Sequence, residues 1–78
     1  MNPDSRITVD AAICGGKPVI QGTRVAVAIV VGSLAAGMSF EDVAREYDLS
    51  IDDIRAALAY ASARVGDESL HPLPARAA

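Results

Sequence analysis

Between Ser39 and Val65, apolar residues recur at helical spacing in two consecutive blocks. Phe40, Val43, Ala44 and Tyr47 fall at i, i+3, i+4 and i+7, which gathers them on one face of a helix. Ile51, Ile54, Leu58, Ala61 and Val65 alternate spacings of three and four and predict a second helix with its own stripe. Each block opens on a serine followed three positions later by an aspartate, Ser39 with Asp42 and Ser50 with Asp53. That is the short-acid form of the reciprocal cap that starts a helix. Asp48-Leu49 is left as the turn, with Leu49 expected to plug the space between the helices, and small Ala44 and Ala57 are expected to let backbones approach closely. Two helices joined by so short a turn form a helix-turn-helix.

Upstream the periodicity changes. Ile7-Thr8-Val9 is a β-branched run that predicts a short strand, and Asp10 to Gly16 interrupts regular structure with the turn signal Gly15-Gly16. Val19-Ile20 and Thr23-Arg24-Val25 flank Gln21-Gly22 and predict a small hairpin, with Pro18 at its start or edge because proline has no amide proton to donate. Ala26 to Ala36 is apolar nearly all round, and Gly37 stands where a helix C-cap would. A helix without a polar face must be covered on several sides. The hairpin, the two later helices and a second copy of the chain are the available covers, so Val27, Ile29, Val30, Val31 and Leu34 form a candidate homodimer interface.

The chain reads as one domain over residues 1–66, loose from Met1 to Ser5, with residues 67–78 as a flexible tail. That tail carries Pro72 and Pro74, and Leu70 and Leu73 are its large apolar groups, too little surface to offset the entropy of ordering. A domain of this size without disulfides gains stability from a partner. Cys14 is the single cysteine, which excludes an intrachain disulfide and fits a reducing, cytoplasmic location. The N-terminus lacks an apolar core after a basic start, so no signal peptide is expected. The apolar run ending at Ala36 is shorter than the roughly 20 residues that span a bilayer.

The net charge of −3 argues against a protein that coats nucleic acid non-specifically. The charge is also uneven. Arg6, Lys17 and Arg24 give the N-terminal half a slight basic excess, while acids crowd the C-terminal half. An acidic face can serve a basic protein partner, and the plainer reading is a solvated helix surface, since helix N-termini favour acids.

Catalytic chemistry finds little to use. His71 stands alone beside prolines, with no histidine or cysteine at metal-ligand spacing. No base is tied by sequence to Cys14, which reads as a small buried residue packed against a turn. Gly15-Gly16-Lys17 is a weak match to a phosphate loop, because the first glycine is missing and Pro18 replaces the magnesium-binding hydroxyl residue. Asp52 and Asp53 are adjacent and diverge by about 100° around a helix, a poor arrangement for a paired acid and base. The chain is therefore expected to be non-enzymatic and to need no cofactor or metal.

The sharpest signature is Ile13-Cys14-Gly15-Gly16-Lys17-Pro18-Val19-Ile20-Gln21-Gly22-Thr23-Arg24-Val25. With the apolar helix and the helix-turn-helix that follow, it resembles the bacterial domain-of-unknown-function family 433 over roughly Ile7 to Ala63. The resemblance implies a mainly α fold, an N-terminal β-hairpin followed by a three-helix, homeodomain-like helix-turn-helix module. Many members are regarded as VapB-type antitoxins, encoded beside a toxin with a PIN-like ribonuclease fold. The implied function is a small cytoplasmic antitoxin that binds its toxin and represses its own operon.

In a homeodomain-like arrangement the helix from Ile51 would enter the major groove, with Asp52, Arg55, Ala56 and Ala59 facing outward. Arg55 could contact guanine or phosphate and Ser50 could offer its hydroxyl to phosphate, with Lys17, Arg24 and Arg45 adding backbone contacts. Arg45 could instead pair with Glu41 at i,i+4. Asp52 and Asp53 would repel phosphate but suit the basic surface of an RNA-cleaving partner, and Leu70, Pro72 and Leu73 could anchor on that partner. The alternative reading is a protein-interaction or dimerisation module that keeps the helix-turn-helix shape without DNA binding.

Overall fold

The computed structural model describes residues 6–66. The expected flexible tail and its residues Leu70, Pro72 and Leu73 lie outside the described residues. The chain is mainly helical. Strands β1 (Ile7–Thr8) and β2 (Val19–Ile20) precede helices α1 (Val27–Ala35), α2 (Phe40–Tyr47) and α3 (Ile51–Gly66), and a short 3-10 turn at Cys14–Gly16 lies between the strands.

The helix ends follow from local chemistry. The Val27 amide at the start of α1 donates to the carbonyl of Pro18 at 2.9 Å, so the β2 segment itself supplies a cap that Ala26 has no side chain to give. At the other end Gly37 adopts φ 107°, open to glycine and strained for other residues. From there the Gly37 amide reaches the Leu34 carbonyl and the Met38 amide reaches Ser33, the two bonds of a Schellman stop. Helix α2 starts where Ser39 Oγ accepts from the Asp42 amide and stops at Asp48, a left-handed residue with φ 57°. An aspartate tolerates that conformation better than a branched residue.

The two serine caps are not equivalent. At α3 the exchange is complete: Ser50 Oγ accepts from the Asp53 amide at 3.0 Å, and Asp53 Oδ2 accepts from the Ser50 amide at 3.1 Å. At α2 the Asp42 carboxylate instead pairs with Arg45. The expected Arg45–Glu41 pair is thus replaced by a partner three residues away, because Asp42 is freed from the return bond to Ser39.

The hairpin turn forms at Gln21-Gly22, but Thr23-Arg24-Val25 is not its second strand. The ladder instead pairs Ile7 with Ile20 and Thr8 with Val19, antiparallel. On the far side an isolated Val19–Ala26 bridge forms, flanked by the Ile20 amide to Val25 carbonyl and Val27 amide to Pro18 carbonyl bonds. The Thr23 hydroxyl explains the difference: it donates to the Ile20 carbonyl and accepts from the Val25 amide, turning the backbone back on itself.

The core sits where every element meets. Ile20 from β2, Val30 from α1, Val43 from α2 and Ile54 from α3 are almost completely buried, and Val27, Leu49 and Ala57 complete the cluster. Phe40, Ala44 and Tyr47 pack half-buried against it, so the first stripe holds, and the Tyr47 hydroxyl shares a hydrogen bond with Ser33 of α1 at 3.2 Å. The second stripe holds at Ile54, Leu58 and Ala61, but Ile51 and Val65 are exposed. Ala56, expected to face outward, is 4% exposed. Helix α3 packs on both α1 and α2, so two neighbours cover a wider arc than one apolar stripe marks.

Helix α1 divides its apolar residues in the same way. Val27 and Val30 are buried in the chain's own core and cannot serve a second copy as surface. Val31 and Leu34 are half-buried against that core, while Ile29 is 48% exposed.

Truncating Ile54 to alanine is expected to cost about 3 kcal/mol, the usual range for a buried aliphatic residue. Val65→Ala should stay within about 0.5 kcal/mol of the parent, as for other surface positions. Urea unfolding of the two variants checks the contrast.

Candidate macromolecular interface

Helix α3 is presented by a turn of three residues, Asp48, Leu49 and Ser50, after α2. Leu49 is buried in that turn, as its position suggested, and fixes how the two helices meet. Along the open side of α3 lie Asp52, Arg55, Ala59 and Ser62, spaced to share one face. The two small residues leave room for close approach, and the two charged ones lie in the first turns. Ser62 was not expected among the candidates, and the i+7 spacing from Arg55 was the signal that could have found it.

The start of α3 is tied to the other end of the chain. Arg6, immediately before β1, donates from Nη1 to Asp53 Oδ1 at 2.9 Å, and its Nη2 lies 3.9 Å from Asp52 Oδ2. Sequence reading assigned Asp53 to partner binding. The structure commits its carboxylate to Ser50 and Arg6, while Asp52 keeps a 68% exposed side chain. Partial burial pushes the Asp53 carboxyl up, but the Ser50 amide, the Arg6 guanidinium and the Ser50 hydroxyl together outweigh it and hold the group below its ordinary value. No local sequence signal marks Arg6, because the two partners are 47 residues apart.

The remaining DNA-contact candidates lie on separate elements. Arg55 is exposed on α3, Arg45 is held on α2 by Asp42, and Ser50 is engaged as the α3 cap. Arg24 lies in the hairpin turn, where its carbonyl accepts from Cys14 Sγ at 3.5 Å. That contact sets Cys14 against the turn, but the residue is half-buried and not buried as expected. Lys17 lines the same groove as Arg64, which lies about 14 Å further along α3 than Arg55.

Lys17 and Arg64 border an open groove of about 350 Å³ between α1 and the C-terminal half of α3. Ala28, Val31, Ala61 and Val65 contribute to its walls, and the Arg64 guanidinium lies 5.7 Å from the Tyr60 ring centroid, within cation–π range. Among the described residues no group of three or more His, Cys, Asp or Glu side chains could hold a metal ion, and no helix is long and apolar enough to cross a membrane.

The family profile described as "Protein of unknown function (DUF433)" matches residues 7–61. Over 55 residues the chain is 40% identical to a Mycobacterium tuberculosis (strain ATCC 25618 / H37Rv) protein named "Putative antitoxin VapB45", covering 70% of this chain and 23% of that protein. The X-ray crystal structure of Rv2018 from Mycobacterium tuberculosis aligns with a TM-score of 0.63 at 40% identity, covering 70% of this chain and 26% of that one. The chain thus spans about a quarter of the length of the relatives it matches.

The Asp53 joint has a pH signature. A carboxylate whose pKa falls on folding binds fewer protons folded than unfolded, so its stabilisation is present above about pH 4 and lost as acid titrates it through the lowered folded value. Asp53→Asn is expected to cost about 1 kcal/mol at neutral pH. Thermal melts of both proteins from pH 7 downward should show the gap between them closing below about pH 4.

Proposed function

We propose, from the premise that this chain belongs to the DUF433 family, that it is a non-enzymatic, antitoxin-like component of a type II toxin-antitoxin pair. The observation that carries this reading is the 40% identity to a protein named as an antitoxin over the stretch that holds the hairpin and the helix-turn-helix. The partner is a PIN-like ribonuclease toxin, and the setting is cytoplasmic. The exposed acids Glu41, Glu46, Asp48 and Asp52 line α2 and the start of α3. They offer the charge that a basic, RNA-binding surface attracts. Asp53 contributes less, because Arg6 already answers it. Leu70, Pro72 and Leu73 remain proposed anchors outside the described residues.

Operon autorepression is the second activity. It would use the face of Asp52, Arg55, Ala59 and Ser62 in the major groove, with Ser50 donating its hydroxyl proton to phosphate and Lys17, Arg24 and Arg45 contacting backbone. A homodimer joined through Ile29 and its neighbours on the outer side of α1 would supply two linked half-sites. The rival reading, an interaction module without DNA binding, is favoured by the exposed carboxylate of Asp52 in the first turn of α3.

Two measurements separate these readings. Co-expression with the nuclease encoded beside this chain should restore growth, and Asp52→Ala should weaken the complex about tenfold, as for an interfacial charge. In gel shift with the promoter region, Arg55→Ala should weaken binding about tenfold or more, whereas Asp52→Ala should strengthen it by removing a repulsion. Absence of any shift at low salt, by the chain or its complex, would remove the DNA role and leave the interaction module.

A further inference from the structure

We propose that Arg6 is a positioning residue for DNA binding by α3: its guanidinium cancels the carboxylate beside Ser50 and so admits a phosphate to the start of the helix. The inference rests on the DNA reading above and deepens it. In that reading the Ser50 hydroxyl donates to a phosphate. The same hydroxyl oxygen accepts from the Asp53 amide at 3.0 Å, and the Asp53 carboxylate accepts from the Ser50 amide at 3.1 Å. A phosphate on Ser50 therefore meets the Asp53 carboxylate at close range. That carboxyl is held below its ordinary value, so it is a full anion at neutral pH. Two such charges side by side oppose association.

The geometry of Arg6 answers this repulsion. Its Nη1 donates to Asp53 Oδ1 at 2.9 Å, while Asp53 Oδ2 stays with the Ser50 amide, so each carboxylate oxygen has its own donor. Its Nη2 lies 3.9 Å from Asp52 Oδ2, and the one cation thereby faces both acids of the first turn. The backbone behind it is fixed. The Gln21 amide donates to the Arg6 carbonyl at 2.7 Å, and the next residue, Ile7, pairs with Ile20 of the core. The guanidinium is thus projected onto α3 from the end of the hairpin ladder. Both side chains are partly withdrawn from water, 31% exposed for Arg6 and 20% for Asp53, so salt screens the pair less than charges on an open surface. The effect on DNA works through Asp53: the pair presents no net charge where the unpaired acid would present one.

Anisotropy titrations of the full chain with labelled promoter DNA at low salt test this. Arg6→Gln should weaken binding about fivefold, and the loss should shrink as salt is raised. Arg6→Lys keeps the charge and should bind within about twofold of the unchanged chain. Arg6→Gln/Asp53→Asn removes the pair together and should regain that affinity, although the fold loses the stabilisation of the joint. A purely structural role for Arg6, or a direct contact from Arg6 to phosphate, would leave this double variant as weak as Arg6→Gln. Arg6→Gln/Asp10→Asn has the same net charge but keeps Asp53, and it should stay weak. Circular dichroism verifies folding. If Arg6→Gln does not fold, Asp53→Asn alone serves, with an expected gain of about fivefold. Unchanged binding in Arg6→Gln, a double variant with Asp53→Asn that stays weak, recovery with Asp10→Asn, or no gain in Asp53→Asn would overturn the proposal. Absence of binding by the unchanged chain and its complex would remove the DNA reading and this proposal together, whereas binding indifferent to Arg6 overturns this proposal alone.

Discussion

One small core constrains everything else in this molecule. Each of β2, α1, α2 and α3 sends an almost completely buried branched side chain into one cluster, Ile20, Val30, Val43 and Ile54. Burying such a side chain is worth about 1.5–3 kcal/mol, against a net stability of about 5–15 kcal/mol for an ordinary domain. Losing any one of them would remove a substantial share of that margin. The surfaces inherit their layout from this arrangement. Because Val27 and Val30 must point inward, the outer side of α1 is left with Ile29 and small residues. Because Ile54 and Ala57 must point inward, Arg55 is turned to solvent one step round the helix.

The charge distribution gives the two ends of α3 opposite characters. At its start, Asp48, Asp52 and Asp53 gather around the turn, and Arg6 neutralises the member that is least exposed. The objection that acids raise to a DNA-facing helix therefore falls mainly on Asp52. At its far end the apolar groove is bordered by Lys17 and Arg64. One helix thus offers two chemically distinct surfaces.

Sequence and structure agree best where the signal is local. Both serine caps lie where the Ser-to-Asp spacing placed them, α1 stops at Gly37, and Leu49 is buried in the turn. The agreement weakens where a residue's fate depends on what packs beside it. Ala56 looked like an outward position from helical spacing alone, and it is buried because α3 is covered from two sides. The interface candidates on α1 looked alike as a uniform apolar run, yet the fold turns Val27 and Val30 inward and Ile29 outward. Thr23-Arg24-Val25 had the composition of a strand, but the better ladder for β2 came from Ile7-Thr8, far upstream.

By itself the sequence determined where the helices start and stop, the tight turn at Asp48-Leu49 and the mainly helical class. Those features rest on hydrogen bonds and side-chain spacings that reach no further than about one helical turn along the chain. Only the tertiary structure decided which strand pairs with β2, that Arg6 answers Asp53 from 47 residues away, and that a cation-bordered groove opens between α1 and α3. Such contacts join residues whose neighbours in sequence carry no trace of the meeting, because they are selected by the packing of whole elements around a shared core.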